Sequence, residues 1–393
     1  MVHYRRVGQI PQKRHTQFRR PDGGLYAEEL MGTEGFSNDS ALLYHRHLPT
    51  AITDAQPWDA PDTTTVPNHP LKPRHFRTPK VTFGPAESTD AVTGRRLLLG
   101  NTDARIWFVV AGRPSPLYRN AIGDECAFVE AGTARLETVF GALDVGPGDY
   151  VILPTSTTHR WVPTGTEPVR LLITEAGGHI GPPRRYLTAR GQFNEFSPYC
   201  ERDLRGPTEP LLAADEGPAD VLVRHRAGGT RFGYANHPFD VVGWDGCLYP
   251  YAFNVADFEP ITGRVHQPPP VHQTFAGPNF VICSFVSRKF DYHPQAIPAP
   301  YNHANVDSDE VLFYVEGNFM SRKGSAITAG SISLHPSGFT HGPQPGSVEA
   351  SIGKESTEEL AVMVDTFRPL ELGAAATESE DPDYAWSWSG GRR

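Results

Sequence analysis

An internal repeat constrains this chain more than any other feature. In the first half, Gly148-Asp-Tyr-Val-Ile-Leu-Pro154 is followed by Ser156 and then His159. In the second, Gly330-Ser-Ile-Ser-Leu-His-Pro336 is followed by Gly338 and then His341. Each copy reads glycine, five residues, proline, one residue, a small residue, two residues, histidine. A duplicated supersecondary unit explains that recurrence better than chance. The chain is therefore expected to hold two copies of one architecture in tandem.

Short β-prone runs surround each copy. Arg105–Gly112, Cys126–Ala131, Ala134–Val139, Tyr150–Leu153 and Val169–Thr174 lie in the first half, separated by Gly, Pro and Asp. Phe280–Phe285, Glu310–Glu316, Ser331–Leu334 and Leu360–Thr366 are the clearest runs of the second. Short strands at regular spacing with turn signals read as a sandwich or barrel. Gly (38) and Pro (37) suit many turns better than long helices. The fold class is all-β dominated, with an extended N-terminal arm over 1–80. A first barrel and its connection follow over 81–235, a second barrel over 236–372, and a flexible acidic tail over 373–393. Trp386 and Trp388 in that tail are available to dock, and Leu211–Ala214 is a helical candidate.

The net charge of −9 is spread over both signs and gives no reason to expect a nucleic-acid partner. The basic start (Arg5, Arg6, Lys13, Arg14, Arg19, Arg20) reads as a solvated or subunit-bridging segment. Cys126, Cys200, Cys247 and Cys283 are widely spaced, with no CxxC pair. No apolar run approaches the roughly 18 residues needed to span a bilayer. The N-terminus has no signal-peptide pattern. A cytoplasmic protein with no membrane partner is the expectation.

The chemistry lies in the second copy. Upstream of His341 stands His303-Ala-Asn305-Val-Asp-Ser-Asp-Glu310, with Gly317 after six more residues. The pattern resembles the cupin signature: His-x-His, three or four residues, Glu, six residues, Gly, and later Pro-x-Gly-x-x-His. That resemblance implies double-stranded β-helix (jelly-roll) barrels. Asn305 stands at the signature's second His, which leaves two imidazoles and one carboxylate. This set suits a non-haem Fe(II) oxygenase, which keeps open positions for O₂ and substrate. Asp309 is the rival carboxylate. Adjacent strand residues face opposite sides, and the spacing to Gly317 favours Glu310. The first copy has Arg119-Asn120 and Asp124-Glu125 where ligands would stand, and His159 alone. It is expected to be a metal-free copy.

Three longer stretches carry a closer resemblance. They are HPFDVVGWDGCLYPYAFNVADFEPITGRVHQPPPVHQTF (237–275), FDYHPQAIPAPYNHANVDSDEVLFYVEGNFMSRKG (290–324) and SLHPSGFTHGP (333–343). With the N-terminal MVHYRRVGQIPQKRHTQF and LLYHRHLPTAI, they resemble the homogentisate 1,2-dioxygenases of bacteria. The resemblance implies Fe(II) held by His303, Glu310 and His341, with O₂ and a small dihydroxyaromatic as substrates. It implies ring cleavage of homogentisate to maleylacetoacetate in tyrosine and phenylalanine catabolism, by a homo-oligomer (trimer or hexamer).

Two departures from the family bear on the site. The family's base, a His in a loop before the metal motif, aligns near Pro268. His266 and His272 flank that position, and either is a candidate catalytic base. Phe319 stands where family members carry a Tyr that helps hold the substrate carboxylate. Tyr314, Arg322 and Lys323 are the candidates to replace it. His335 and Asn305 are candidate hydrogen-bond partners beside the metal. Three rival functions stay open: ring cleavage of another hydroquinone or a gentisate-like aromatic, a non-oxidative cupin such as an isomerase, and a non-enzymatic binding cupin.

Overall fold

The computed structural model describes residues 3–389. The expected strands form within a residue or two of their sequence positions, and the fold is all-β. Six strands build the second barrel's main sheet: β1 (Arg74–Arg77), β2 (Gln273–Gly277), β3 (Phe280–Phe285), β4 (Asp309–Gly317), β5 (Ser331–His335) and β6 (Glu359–Thr366). Their order is β2-β3-β6-β4-β5-β1, antiparallel throughout. The first barrel pairs a nine-stranded with a seven-stranded sheet. Ala104–Ala111, Glu125–Ala131, Asp149–Leu153 and Val169–Ala176 are the centre of the larger one.

Alternation along the strands divides the second sheet into two unlike faces. Val311, Phe313, Ile332, Leu334, Val362 and Val364 form the packed face and join the core shared with the first barrel. There the Phe313 ring meets Phe108 edge-on at 6.0 Å. The opposite face carries Glu310, Leu312 and Tyr314, registered against His335, Ser333 and Ser331 on one side and Asp365, Met363 and Ala361 on the other. Leu312, Asp365 and Phe285 on that inward face stay partly exposed, although they lie in central strands. Solvent therefore reaches the inward face of the second barrel at these three side chains, a hollow beside Glu310.

The sheets cross the boundaries expected from sequence. Arg74–Arg77 belongs to the expected arm but pairs with β5. Tyr251–Asn254 belongs to the expected second barrel but pairs with Asp149–Leu153 of the first. Glu371–Gly373 pairs with Arg96–Gly100. Each barrel thus covers edge strands with segments from elsewhere in the chain, which satisfies backbone groups an open edge would leave unpaired. Leu211–Ala214 is irregular rather than helical, with the Ala213 amide donating to the Phe239 carbonyl at 2.8 Å.

The expected flexible tail is ordered as far as it is described. Ala374–Ser379 is a short helix, and Tyr384–Ser389 a 3₁₀ turn with Tyr384 2% exposed. Its acidic residues find basic partners in the arm: Glu380 pairs with Arg74 and Lys72, and Asp381 with Arg77. Residues 390–393 of the tail and 1–2 of the arm lie outside the described residues. Among the described residues no helix is long and apolar enough to cross a membrane.

His45 locks the arm to the barrels. Its Nδ1 lies 2.6 Å from Asp240 and its Nε2 2.9 Å from Glu29. Only the imidazolium can donate to both carboxylates. Burial lowers its pKa, but the bonds to Asp240 and Glu29 outweigh burial and raise it to about 9. Its stabilising contribution is complete below the free-histidine value and lost as pH rises through about 9, and the shift corresponds to about 3 kcal/mol. Thermal unfolding of wild type and His45→Gln should therefore differ most near pH 6. The gap should narrow steadily up to pH 10. A gap that is constant across this range would remove the imidazolium from the account.

Candidate metal centre

Strand register sets the site. Glu310 on β4 stands opposite His335 on β5 and Asp365 on β6. Asp309, one residue earlier, points away. Its carboxylate accepts from the backbone amides of Ser337 (2.9 Å) and Leu370 (2.8 Å), tying two loops together. Gly317 closes the strand at φ +112, where a Cβ would lie 2.3 Å from the Glu358 carbonyl oxygen, so glycine is required there.

His303 and His341 come from loops on either side of β4 and β5. Their backbones bond each other twice, His303 N to His341 O and His341 N to His303 O, both 2.8 Å. That double bond pins the imidazoles together with ring centroids 4.3 Å apart. Each Nδ1 faces a carbonyl, Tyr301 O for His303 (3.2 Å) and Phe339 O for His341 (3.4 Å). Protons on Nδ1 give both Nε2 lone pairs to a bound metal, whereas without one the Nε2 atoms are free to carry a proton and donate to Glu310. The two Nε2 atoms lie 3.4 and 3.2 Å from the Glu310 carboxylate. Ligand atoms of His303, Glu310 and His341 all fall within 4.8 Å of one another. Two neutral imidazoles and one carboxylate in this arrangement fit a divalent transition metal such as iron.

Burial favours a neutral Glu310, but hydrogen bonds from His303, His335 and His341 outweigh it and hold the carboxyl well below its ordinary pKa. His335 Nδ1 lies 2.8 Å from Glu310 Oε1, and its Nε2 lies 2.8 Å from the Tyr384 hydroxyl. Burial, helped by Arg322 and His341, pushes its pKa down to about 3 against the pull of Glu310. The ring is thus neutral. Its Nδ1–H donates to Glu310, while the Tyr384 hydroxyl donates to Nε2.

The remaining predicted residues separate. The Asn305 amide donates to Asp365 at 3.4 Å and turns away from the triad. His266 stands at the exposed rim, 3.3 Å from both Asp291 and the Tyr301 hydroxyl. Tyr301 in turn supplies the carbonyl that faces His303. His272 is buried with its ring on Phe285 (centroids 4.6 Å), and burial pushes its pKa down to about 3. An imidazole that cannot hold a proton near neutral pH is a poor base, so the structure removes His272 from the catalytic candidates. Phe319 is buried and meets the Tyr314 ring edge-on at 5.0 Å. The Tyr314 hydroxyl bonds Ser333 (3.2 Å) and accepts from Arg322 (2.8 Å).

Two residues at the site escaped the sequence reading. Asp365 gave a faint signal, a lone carboxylate on the inward parity of an apolar strand. Burial and then the charge of Glu310 raise its pKa to about 8. Tyr384 gave none beyond an aromatic tail.

The first barrel fills the corresponding place differently. Glu125 pairs in register with Glu175, as Glu310 does with Asp365, and His159 corresponds to His341. Arg95 donates to Glu125 at 2.7 Å, Arg224 pairs with Glu175, and the Asn120 amide reaches both carboxylates. With Arg105, 3.1 Å from Glu175, three guanidinium groups supply the positive charge there.

Tandem all-β barrels of this kind, one holding an inward His-Glu-His set, are cupins with a candidate metal centre. The family model described as Cupin domain matches residues 106–175, within the first barrel. Over 393 residues the chain is 41% identical to "Putative dioxygenase SSO1533" of Saccharolobus solfataricus, covering 99% of each. It is 26% identical to the homogentisate 1,2-dioxygenase of Rhodopseudomonas palustris, over 93% of this chain and 87% of that protein. For the Emericella nidulans homogentisate 1,2-dioxygenase the identity is also 26%, over 86% and 79%. The chain belongs to the cupin dioxygenase family that the Saccharolobus protein represents.

Removing one ligand should abolish stoichiometric metal binding without unfolding the barrel. His341→Ala should therefore retain its far-ultraviolet spectrum and lose bound iron by elemental analysis. His335→Gln should bind iron roughly 10- to 100-fold more weakly, because it loses a bond that orients Glu310. Unchanged affinity in His335→Gln would reduce that residue to packing.

Proposed function

We propose that this protein is a non-haem Fe(II) dioxygenase that opens the ring of a hydroquinone with O₂, with homogentisate the first candidate and maleylacetoacetate its product. The observation that carries this reading is the His303-Glu310-His341 set on the inward face of the second barrel, with Glu310 and His341 buried and His303 part-exposed. Homogentisate dioxygenases among the relatives support it. With the family resemblance goes a cytoplasmic homo-oligomer, trimer or hexamer.

His303, Glu310 and His341 would hold the iron. When bound, it supplies Lewis acidity and a common template for substrate and O₂. The chain's own residues do the rest. Leu312 and Phe285 line the hollow with apolar surface that suits an aromatic ring. His335 and Tyr384 keep Glu310 oriented. At the rim, the Asp291 carboxylate accepts from His266 Nδ1–H, leaving Nε2 to take a phenol proton directly or through the Tyr301 hydroxyl. Both atoms of O₂ end in the ring-opened product. A second reading, cleavage of another hydroquinone, is favoured by Phe319, which has no hydroxyl for a carboxylate.

Oxygen uptake by anaerobically Fe(II)-loaded protein tests this with homogentisate, gentisate and plain hydroquinone in parallel. Uptake is expected with homogentisate and should vanish in His303→Ala. Uptake with a different hydroquinone alone would select the second reading. No uptake from protein holding stoichiometric iron would sink both. His266→Ala should lower kcat by about 10²- to 10⁴-fold at unchanged iron content, whereas His272→Ala should act on stability instead.

A further inference from the structure

Four arginines are buried in the described residues: Arg74, Arg95, Arg224 and Arg322. Three have carboxylate partners, Glu380, Glu125 and Glu175 respectively. Arg322 does not. Among the described residues no carboxylate oxygen lies within 4.0 Å of its guanidinium. Its Nε donates to the Tyr314 hydroxyl and its Nη1 to the Gly342 carbonyl, both at 2.8 Å. Both acceptors are neutral, and Nη2 makes no hydrogen bond to any described residue. A guanidinium remains charged at any ordinary pH, and a buried charge without a counter-ion is costly. A resident cation of this kind is explained when the missing counter-ion is a ligand.

Its position says which ligand. Tyr314 projects from the same inward face of β4 as Glu310 and Leu312. Gly342 directly follows His341. Arg322 therefore lies against the backbone that carries His341 and against Tyr314, whose ring packs with Phe319 in a cluster that the partly exposed Leu312 and Phe285 border. The same side of the barrel then offers a metal position, apolar side chains and an unpaired planar cation. A guanidinium fork matches carboxylate and phosphate geometry, and of the two a carboxylate is the anion carried by the aromatic that the ring-cleavage reading supplies.

We propose that Arg322 anchors the substrate by a carboxylate carried on its aromatic ring, held across the hollow from the metal centre. The identity of the ring rests on the ring-cleavage reading above. The anchor selects carboxylate-bearing aromatics over neutral ones and takes the place of the hydroxyl that Phe319 lacks.

The test uses two probes without ring hydroxyls, phenylacetate and 2-phenylethanol. They are titrated calorimetrically into anaerobic Fe(II)-loaded wild type, Arg322→Gln and Arg322→Lys. Wild type should prefer phenylacetate roughly tenfold or more, the scale of a charge-assisted hydrogen bond. Arg322→Gln should erase the preference while binding 2-phenylethanol within about threefold of wild type, and Arg322→Lys should restore part of it. A wild-type preference below about threefold overturns the proposal. So does a preference that survives in Arg322→Gln, which would put the carboxylate on the metal. Should Arg322→Gln fail to fold, the thermal shift of wild type decides: phenylacetate should stabilise it and 2-phenylethanol should not, and equal shifts overturn the anchor. Neither probe can undergo ring cleavage, so failure of the oxygen-uptake assay and failure of this one are separate results.

Discussion

Each barrel buries a carboxylate on its central strand and must neutralise it. Much of the structure follows from how this is done. An uncompensated carboxylate inside a protein is either protonated or paired. In the first barrel Glu125 and its cross-strand partner Glu175 meet Arg95 and Arg224, and the charge is balanced by the chain itself. In the second barrel Glu310 has three imidazoles around it and, among the described residues, no arginine partner. Its neighbour Asp365 responds by raising its pKa rather than adding a second charge. A carboxylate among neutral imidazoles is what a divalent cation completes. The same strand pairing thus gives a self-neutralised core in one copy and a metal-ready centre in the other.

The supporting geometry is mostly backbone. The paired amide-carbonyl bonds between His303 and His341 fix two loops to each other before either side chain is considered. Carbonyls at Tyr301 and Phe339 then set the tautomers. Side chains enter one layer further out, where Tyr384 holds His335 and His335 holds Glu310. Tyr384 comes from the C-terminal segment, whose acidic residues are pinned by Arg74, Lys72 and Arg77 from the arm. Residues 72–77 of the arm and the C-terminal segment therefore converge on the metal barrel. That convergence explains why segments that looked peripheral are ordered.

What could be read from sequence was local in sequence. Strand positions, the repeat and the His303-Glu310-His341 set all depend on short spacings that alternation and turn chemistry fix. The choice of Glu310 over Asp309 followed from strand parity together with the spacing to Gly317. Nothing local distinguishes His266 from His272, which flank the same prolines. The difference is that one ring falls on Phe285 at the entry to β2 while the other meets Asp291 and Tyr301, both distant in sequence. Domain limits failed for a similar reason. Arg74–Arg77 and Tyr251–Asn254 choose their partners by which sheet edge is open. The buried counter-ions of the first barrel, Arg95 and Arg224, lie outside the motif and could not be matched to Glu125 and Glu175 by spacing.

The two interiors also differ in the side chains they place inward. In the first barrel Trp107 and Trp161 are fully buried among Val109, Val129, Val151 and Leu171, so large side chains fill the space between the sheets. At inward positions of the second barrel stand Ser331, Ser333 and Ala361. Hydroxyls there bond His75 and Tyr314, while Leu312 and Phe285 beside them stay partly exposed. Position 153 against position 335 shows the division at a single site: Leu153 faces Glu125 across the strand pair as an apolar filler, whereas His335 faces Glu310 as a hydrogen-bond partner. A duplicated barrel can divide its work only if one copy stays folded without a ligand's help. The tryptophans and arginines of the first copy satisfy that requirement. They leave the second free to carry an incompletely neutralised interior, the arrangement a metal can complete.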